Sequence, residues 1–176
     1  MIKLRELRKD DAEPMLDWMH DPVSQRGFQR DIIHTTLEEA EKFCIDAKLP
    51  DSIKEGISCH FAIADYDTDE YFGTVSLKDI SIRHSHGEYA IALCPKARGR
   101  GIAGAATLLL LDKAFSEYRL NRVFLSVLPD NESAIRLYEK CGFKYEGSFR
   151  RHIRRGEEFL DWKWYGILRE EYERSR

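Results

Sequence analysis

Three glycines within six residues limit the fold of this 176-residue chain more than any other feature. They lie in the segment Arg98–Gly104 (RGRGIAG), between an apolar strand-like segment, Glu88–Leu93, and a helix-like segment that begins at Ala105. Glycine allows a tight bend, and the first amide N–H groups of a helix have no partner within it. Those amides and the helix dipole attract an anion. We therefore predict that this turn holds a phosphate or pyrophosphate group through its main chain.

The glycine spacing does not identify the ligand by itself. The P-loop pattern G-x-x-x-x-G-K-[ST] is absent, which argues against Walker-type nucleotide hydrolysis. Gly99, Gly101 and Gly104 do match the dinucleotide spacing G-x-G-x-x-G, but the next predicted strand, Arg122–Leu128, ends without a clear acidic residue for a ribose. A glycine-rich turn without any ligand is the remaining alternative.

A second motif follows the turn. The pattern R-x-x-G-x-A at Arg98–Ala103 precedes N-x-x-A-x-x-x-Y-x-K-x-G-F, which runs from Asn131 to Phe143. This ordered pair resembles the GNAT superfamily of acetyl-CoA-dependent N-acetyltransferases. The C-terminal part resembles the branch that contains ribosomal-protein N-terminal, spermidine and amino-sugar acetyltransferases. The resemblance implies a single α/β domain over residues 1–176, with a mixed, mostly antiparallel sheet flanked by helices.

The same resemblance implies where the cofactor binds. The pyrophosphate of acetyl-CoA is expected on the glycine-rich turn, and the pantetheine arm beside a strand whose main chain is exposed because its neighbour splays away. The predicted cofactor-binding residues are Ile91, Ala92, Leu93, Arg98, Gly99, Arg100, Gly101, Ile102, Ala103, Gly104 and Asn131. Asn131 follows Pro129-Asp130 and is also a natural helix N-cap, which is compatible with a hydrogen bond to the pantetheine arm.

Two residues are predicted to be catalytic. An alkylamine with a pKa near ~10 is mostly protonated at neutral pH, and the departing thiolate needs a proton or a hydrogen bond. The resemblance implies that Tyr138 donates to the thiolate, whereas helical periodicity alone favours a packed core tyrosine. It also implies that Glu88 binds or deprotonates the amine, whereas the bare sequence fits a solvated acid at a strand end equally well.

Other reactive side chains have weaker claims. His84 and His86 form an H-x-H pair, which is too few ligands for a metal site, so no metal is predicted; either histidine remains a candidate base. Cys94 adjoins the cofactor strand without an evident His or Asn partner, so direct attack by the amine in a ternary complex is favoured over an acyl-enzyme. The four cysteines lack C-x-x-C spacing, which is typical of reduced thiols in a cytoplasmic protein.

Composition excludes several broad classes of function. The formal charge of −3 gives no electrostatic reason to expect nucleic-acid binding. No apolar segment approaches the roughly 20 residues of a membrane span, and the N-terminus lacks the apolar core of a signal peptide. The resemblance implies an amine-bearing acceptor as the partner, and a homodimer is left open.

The resemblance implies that the acceptor lies between the N-terminal helices, the loop Gly27–His34, the start of the central strand at Glu88 and a late hairpin, Phe149–Phe159. Charged residues of both signs occur there: Arg26, Arg30, Asp31, Glu88, Arg150, Arg151, Arg154, Arg155, Glu157 and Glu158. A polyamine site should be lined mainly by acids, so a protein or peptide α-amine ranks first, an amino sugar second and a polyamine third. The rival interpretation is a non-catalytic acyl-CoA-binding regulatory module.

Two local predictions bear on these walls. Asp21-Pro22 is predicted to end the first helix. The basic segment Phe149–Gly156 is predicted to be a connection between two strands, either simply solvated or gripping an anionic substrate or a phosphate of the cofactor.

Overall fold

One mixed sheet of seven strands, in the order β1-β2-β3-β4-β5-β7-β6, forms the centre of the molecule. The computed structural model describes residues 1–28 and 30–174. The strands are β1 (Ile2–Glu6), β2 (Ile57–Asp65), β3 (Tyr71–Ser81), β4 (His86–Leu93), β5 (Arg122–Val127), β6 (Lys144–Arg155) and β7 (Glu158–Leu168). Every neighbouring pair is antiparallel except β4 and β5, which are parallel. The predicted mixed, mostly antiparallel α/β architecture is therefore confirmed.

Six helices cover the two faces of the sheet in the part of the chain that the structure describes. They are α1 (Ala12–Met19), α2 (Pro22–Gln25), α3 (Leu37–Asp46), α4 (Ile102–Asp112), α5 (Glu132–Lys140) and α6 (Arg169–Arg174). Short 3₁₀ turns precede α1 and α4, and a π-helical turn, Lys113–Glu117, follows α4.

Alternation along β2 separates two hydrophobic clusters. Phe61 and Ile63 point to one face and join the core beneath α4 and α5, because successive side chains of a strand face opposite sides. Ala62 points to the other face and packs with Met15 of α1 and Cys44 of α3. The helical pair α1–α3 therefore lies on the sheet face opposite α4, which places the N-terminal helices and the glycine-rich turn on different sides of the strands.

Strands β4 and β5 separate shortly after they begin. Their pairing covers only His86 with Arg122, Gly87 with Val123, and Glu88 with Phe124. Beyond these pairs, β4 stays bonded to β3 as far as Leu93 but no longer to β5. The resulting gap exposes one main-chain edge of β4 to whatever enters from the strand ends, which is the splayed geometry that the resemblance implied.

One local prediction is wrong and another is incomplete. The basic segment Phe149–Gly156 is not a connection: β6 extends through Arg155, and only the turn at Gly156 joins it to β7. Its polar residues are held in a strand by main-chain pairing with β7. Asp21-Pro22 does not simply end α1, which stops at Met19; Asp21 caps α2 by accepting a hydrogen bond from the Val23 amide, and Pro22 occupies its first turn, where no N–H is needed.

Candidate active site

The glycine-rich turn has the backbone conformation that its sequence requires. Gly99 and Gly101 have φ of 71° and 77°, in the left-handed region that side chains disfavour. A Cβ placed on either glycine would meet no other atom within 4 Å, so this side of the turn is open. Gly101 directly precedes Ile102, the first residue of α4, so the free first-turn amides of that helix lie beside an open space. The turn fits a phosphate group.

Arg98 uses its side chain for a structural purpose. Its Nη2 donates to Ser24 Oγ at 2.9 Å, to the Leu93 carbonyl at 3.2 Å and to the carboxylate of Asp21. Burial by itself would raise the pKa of Asp21. The hydrogen bond from Arg98 and the hydrogen bonds from the backbone amides of α2 together outweigh it, so the pKa of this carboxyl is lowered. Arg98 therefore ties the glycine-rich turn to α2 on the other side of the gap. The predicted cofactor contact of Arg98 stays a prediction, and these bonds leave its main chain as the group that could make it.

The open edge of β4 carries the residues predicted to meet the pantetheine arm. Ile91, Ala92 and Leu93 pair only with β3, so their β5-facing edge lies in the gap. Gly73 makes the close β3–β4 approach here possible, since a Cβ at that position would lie 2.2 Å from the Ala92 carbonyl oxygen.

Asn131 begins α5 at the far side of the gap. Its side-chain oxygen accepts from the Ala134 amide at 3.3 Å, so the N-cap role predicted from sequence is present. Further along α5, the side chain of Leu137 packs toward the turn and lies 3.7 Å from the position that a Cβ would take on Gly104. These contacts bring the start of α4 and the face of α5 together.

Tyr138 lies in the core beside the closed end of the gap. Its ring packs edge-on against Tyr89, with 5.7 Å between centroids, and Tyr89 directly follows the last β4 residue paired with β5. Burial, with a smaller effect of Cys141, raises the pKa of the Tyr138 phenol, so it remains protonated at neutral pH. Packing and proton donation are thus both compatible with this position.

Glu88 lies on the opposite sheet face, at the last β4–β5 pair. Its carboxylate is 3.1 Å from the Lys78 ammonium on β3, and both side chains are partly exposed. The acid is therefore held in a cross-strand ion pair at the closed end of the gap, rather than free in solvent as the bare sequence also allowed.

The remaining reactive side chains are Cys94, which is buried, and the pair His84 and His86, of which His86 lies two residues before Glu88 on β4. Cys94 is buried and donates to the Pro14 carbonyl at 3.3 Å; burial raises the pKa of its thiol to about 11, so little thiolate exists at neutral pH. His84 and His86 stack with ring centroids 6.0 Å apart. Within residues 1–28 and 30–174, no group of three or more His, Cys, Asp or Glu side chains is arranged to hold a metal ion.

A pocket of about 460 Å³ lies where α2 meets the β6–β7 hairpin. Its walls are Gln25, Arg26, Gly27, Phe28, Leu128, His152, Ile153, Arg154, Arg155 and Trp162. The predicted N-terminal loop and late hairpin are thus brought together, although Gln29 of that loop lies outside the described residues. Glu88, expected in the same wall, does not line this pocket.

The basic segment of β6 divides into two groups at a bulge. Phe149 pairs with Trp162 and Ile153 with Leu160, so β6 has two extra residues between these pairs. Bulges re-aim side chains. Arg154 and Arg155 line the pocket, whereas Arg150 and Arg151 do not.

Some wall residues had no signal in the sequence. Gln25 holds the following loop by donating to the Arg30 carbonyl at 3.0 Å and accepting from the Ile32 and Ile33 amides at 2.8 and 3.2 Å. A lone glutamine at the end of a short helix belongs to no sequence pattern that would reveal this role. Leu128 and Trp162 looked like ordinary strand residues.

The gap, the amide-rich turn and the buried phenol occur in a chain that belongs to the GNAT acetyltransferase family: the family model described as an acetyltransferase (GNAT) domain matches residues 2–144. Acetyl-CoA is the cosubstrate of this family. An uncharacterised N-acetyltransferase, p20 of Bacillus licheniformis, is 26% identical over 97% of this chain and 94% of its own length. The spermidine N(1)-acetyltransferase of Vibrio cholerae is 32% identical over 57% of this chain and 58% of its own.

Solved structures share the fold. A Vibrio cholerae spermidine N-acetyltransferase in complex with CoA and spermine aligns with a TM-score of 0.84 at 24% identity, over 98% of both chains. A GNAT-family acetyltransferase from Bacillus anthracis aligns with a TM-score of 0.81 at 22% identity, over 96% of this chain and 95% of its own.

Proposed function

We propose that this chain transfers the acetyl group of acetyl-CoA to a primary amine by direct attack in a ternary complex, and that the preferred acceptor is the α-amine of a protein or peptide. The observation that carries the transfer is the gap between β4 and β5, which leads from the glycine-rich turn to the ring of Tyr138. Main-chain bonding along Ile91–Leu93 and the cap residue Asn131 would hold the pantetheine arm.

Each step of the reaction has a candidate group. The amine loses its proton to Glu88, directly or through water, and its nitrogen attacks the thioester carbon. Main-chain amides of the unpaired part of β4 are candidates to stabilise the oxyanion. The carbon–sulfur bond then breaks, and the phenol of Tyr138 gives its proton to the leaving sulfur. The nitrogen releases its extra proton through water, and the Tyr138 phenolate takes up a proton from the same water, so the neutral amide, the thiol and the phenol are restored. The raised pKa of the Cys94 thiol supports direct attack over an acyl-enzyme.

The pocket wall supports the ranking of acceptors. No Asp or Glu is among the residues that line it, whereas three arginines and a histidine are. A polyamine would place several unpaired cations among these guanidinium groups, which is costly. A peptide N-terminus or, second, an amino-sugar nucleotide presents one amine among polar or anionic groups. This chain would then differ in acceptor from the spermidine acetyltransferases among its relatives.

Turnover with a matched panel of acceptors tests the proposal. Release of CoA thiol is measured with a short peptide, an amino-sugar nucleotide and spermidine at equal concentrations. We expect the peptide to give the highest kcat/KM. Preferred acetylation of spermidine would overturn the ranking, and acetylation of the amino sugar alone would move the second candidate to first place.

The rival function is a non-catalytic acyl-CoA-binding module. It predicts that coenzyme A binds while no amine is acetylated. This rival would be supported if the protein bound coenzyme A in calorimetry but released no thiol from acetyl-CoA with any acceptor.

Location and partners complete the proposal. The four cysteines are free and buried in the described structure, which supports a reducing, cytoplasmic location. None of the described helices is long and apolar enough to cross a membrane. We assign no nucleic acid as partner, and sedimentation of the purified chain would decide between a monomer and a homodimer.

A further inference from the structure

The pocket between α2 and the hairpin has a concentrated positive charge. Arg26 contributes from the segment after α2, and Arg154 and Arg155 contribute from β6. We call Arg26, Arg154 and Arg155 the arginine subsite. Guanidinium groups grouped around one space repel each other unless an anion lies between them, so the counter-charges near them are informative.

The counter-charges near Arg154 and Arg155 lie at the outer limit of an ion pair and are exposed. Arg154 is 3.8 Å from Glu157, whose side chain is 98% exposed, and Arg155 is 3.9 Å from Asp130, whose side chain is 61% exposed. Arg26 makes no ion pair within the described residues. A close charge-assisted hydrogen bond is about 2.7–2.9 Å long.

A structural arginine in the same molecule has a different environment. Arg5 binds both carboxylate oxygens of Asp11 at 2.7 and 2.8 Å, and both side chains are largely buried. That geometry satisfies the planar guanidinium in two places. The arginine subsite has no such partner, so its donors remain available to a ligand.

The subsite is nevertheless held in place. Arg155 donates to the Arg26 carbonyl at 2.6 Å, which ties β6 to the segment after α2. Arg154 donates from Nε to the Gly156 carbonyl at 3.0 Å, which leaves its two terminal nitrogens free of this contact. His152 stacks on Trp162, with 5.3 Å between ring centroids. These contacts orient the donors before any ligand binds, which lowers the entropic cost of binding.

We propose that the arginine subsite binds an anionic group, a carboxylate or a phosphate, carried by the acceptor close to the amine that is acetylated. The inference rests on the proposed function and names its substrate class: a peptide with an acidic residue next to its N-terminal residue. The pocket includes Leu128, directly after β5, and α2 is tied through Arg98 to the carbonyl of Leu93 at the end of β4. The subsite therefore lies beside the gap that would hold the thioester.

Two peptides and two double variants test the proposal. The peptides differ only in Asp against Asn at the second residue. Arg154→Gln with Arg155→Gln removes two charges from the pocket; Arg150→Gln with Arg151→Gln removes two charges from the same strand outside it. We expect the wild-type chain to favour the Asp peptide by about tenfold in kcat/KM, as a charge-assisted hydrogen bond predicts. The pocket variant should lose this preference and the control variant should keep it.

Binding is measured separately from turnover. Calorimetry with the N-acetylated forms of both peptides, in the presence of coenzyme A, measures how much the Asp side chain adds to the binding affinity without requiring catalysis. A tenfold preference for the acidic form that only the pocket variant lacks supports the subsite, even if no acceptor is acetylated and the proposed function fails. Equal affinity for the two peptides in the wild-type chain overturns the subsite.

The second source of an anion is the cofactor itself. Coenzyme A carries a 3′-phosphate, so the affinities of coenzyme A and 3′-dephospho-coenzyme A are compared in both double variants. We expect the pocket variant to bind both as the wild-type chain does. A loss of affinity that occurs with coenzyme A and vanishes with the dephospho form would assign the arginines to the cofactor and overturn the proposal. Thermal melting of each variant confirms that it is folded.

Discussion

The proposed cofactor side and the proposed acceptor side of this molecule are built in different ways. The cofactor side, residues 87–143, is one stretch of chain in which the turn, the open strand edge and the phenol follow one another. The acceptor side collects α2 and its following loop from the N-terminal part and the β6–β7 hairpin from the C-terminal part. The first is specified by local motifs, and the second exists only after the chain has folded.

The difference has a chemical origin. The cofactor side presents main-chain groups, whose positions depend on glycines and strand ends. The acceptor side presents side chains, which a single substitution can replace without changing the backbone. Functional diversity within one fold is expected on such a surface. The family model reaches only to residue 144, so it leaves the hairpin out.

The largest effect should come from a charge placed on the cofactor side. Gly101→Glu should lower the affinity for coenzyme A below detection in calorimetry, because the side chain enters the open space beside the α4 amides and repels the pyrophosphate. Gly56→Glu is the matched control: its φ is 76° and its surroundings are equally open, so it suffers the same backbone strain of about 1–2 kcal/mol without meeting the cofactor. Retained affinity in Gly101→Glu would remove the pyrophosphate from this turn.

The next effect concerns the phenol of the cofactor side. Tyr138→Phe should lower kcat by roughly 10²–10⁴, as expected for the loss of a general acid, while affinity for coenzyme A stays unchanged. Tyr89→Phe is the control. It removes a buried hydroxyl that forms a 2.7 Å hydrogen bond with the Thr107 hydroxyl. This change should lower the free energy of unfolding by about 1 kcal/mol with little effect on kcat. Unchanged turnover in Tyr138→Phe, with chemistry rate-limiting, would make this residue part of the core alone.

A smaller effect is expected from the acceptor wall. Gln25→Ala removes three hydrogen bonds that hold the loop around Arg30 and Ile32. We expect the KM for the acceptor to rise by roughly threefold to tenfold, as one or two net hydrogen bonds would predict, with unchanged affinity for coenzyme A. Steady-state kinetics with each substrate varied in turn measures both. A parallel loss of coenzyme A affinity would show that the two sides are not separable.

The sequence was sufficient for most of the cofactor side and much of the sheet. The alternation of Cys59, Phe61 and Ile63 predicts a buried face that is confirmed, because period-two patterns are local. The left-handed glycines of the turn are likewise local, since φ depends on the residue itself. The roles of the predicted cofactor and catalytic residues remain predictions.

The sequence was insufficient where distant segments meet. Nothing within Phe149–Gly156 alternates, so its strand conformation depends on pairing with β7. The partners of Arg98 on α2 are about 75 residues away in sequence. A motif match assigned this arginine to the cofactor, and only the fold reveals its other contacts.

The smallest expected effect concerns stability beneath the acceptor side. His60 of β2 lies against Ser76, with 2.8 Å between Nδ1 and Oγ, and edge-on against Phe43 of α3. Burial, followed by the positive charges of Lys78 and Arg30, lowers the pKa of His60. As the pH falls below the ordinary histidine pKa of about 6.5, His60 therefore takes up a proton in the unfolded chain before it does so in the folded chain. The free energy of unfolding decreases as the pH decreases through this range. Above that value both states are neutral and the residue contributes no pH dependence.

His60→Gln should remove this part of the acid sensitivity. Urea unfolding of the wild-type chain and the variant at pH 7.5 and 5.5 compares the two losses of stability, and the variant should lose less. His152→Gln, in which an exposed histidine without a carboxylate partner among the described residues is replaced, is the control and should lose as much as the wild-type chain. Equal losses in all three proteins would mean that His60 takes up its proton as readily in the folded chain as in the unfolded one, and that its burial beneath the proposed acceptor side adds no acid sensitivity.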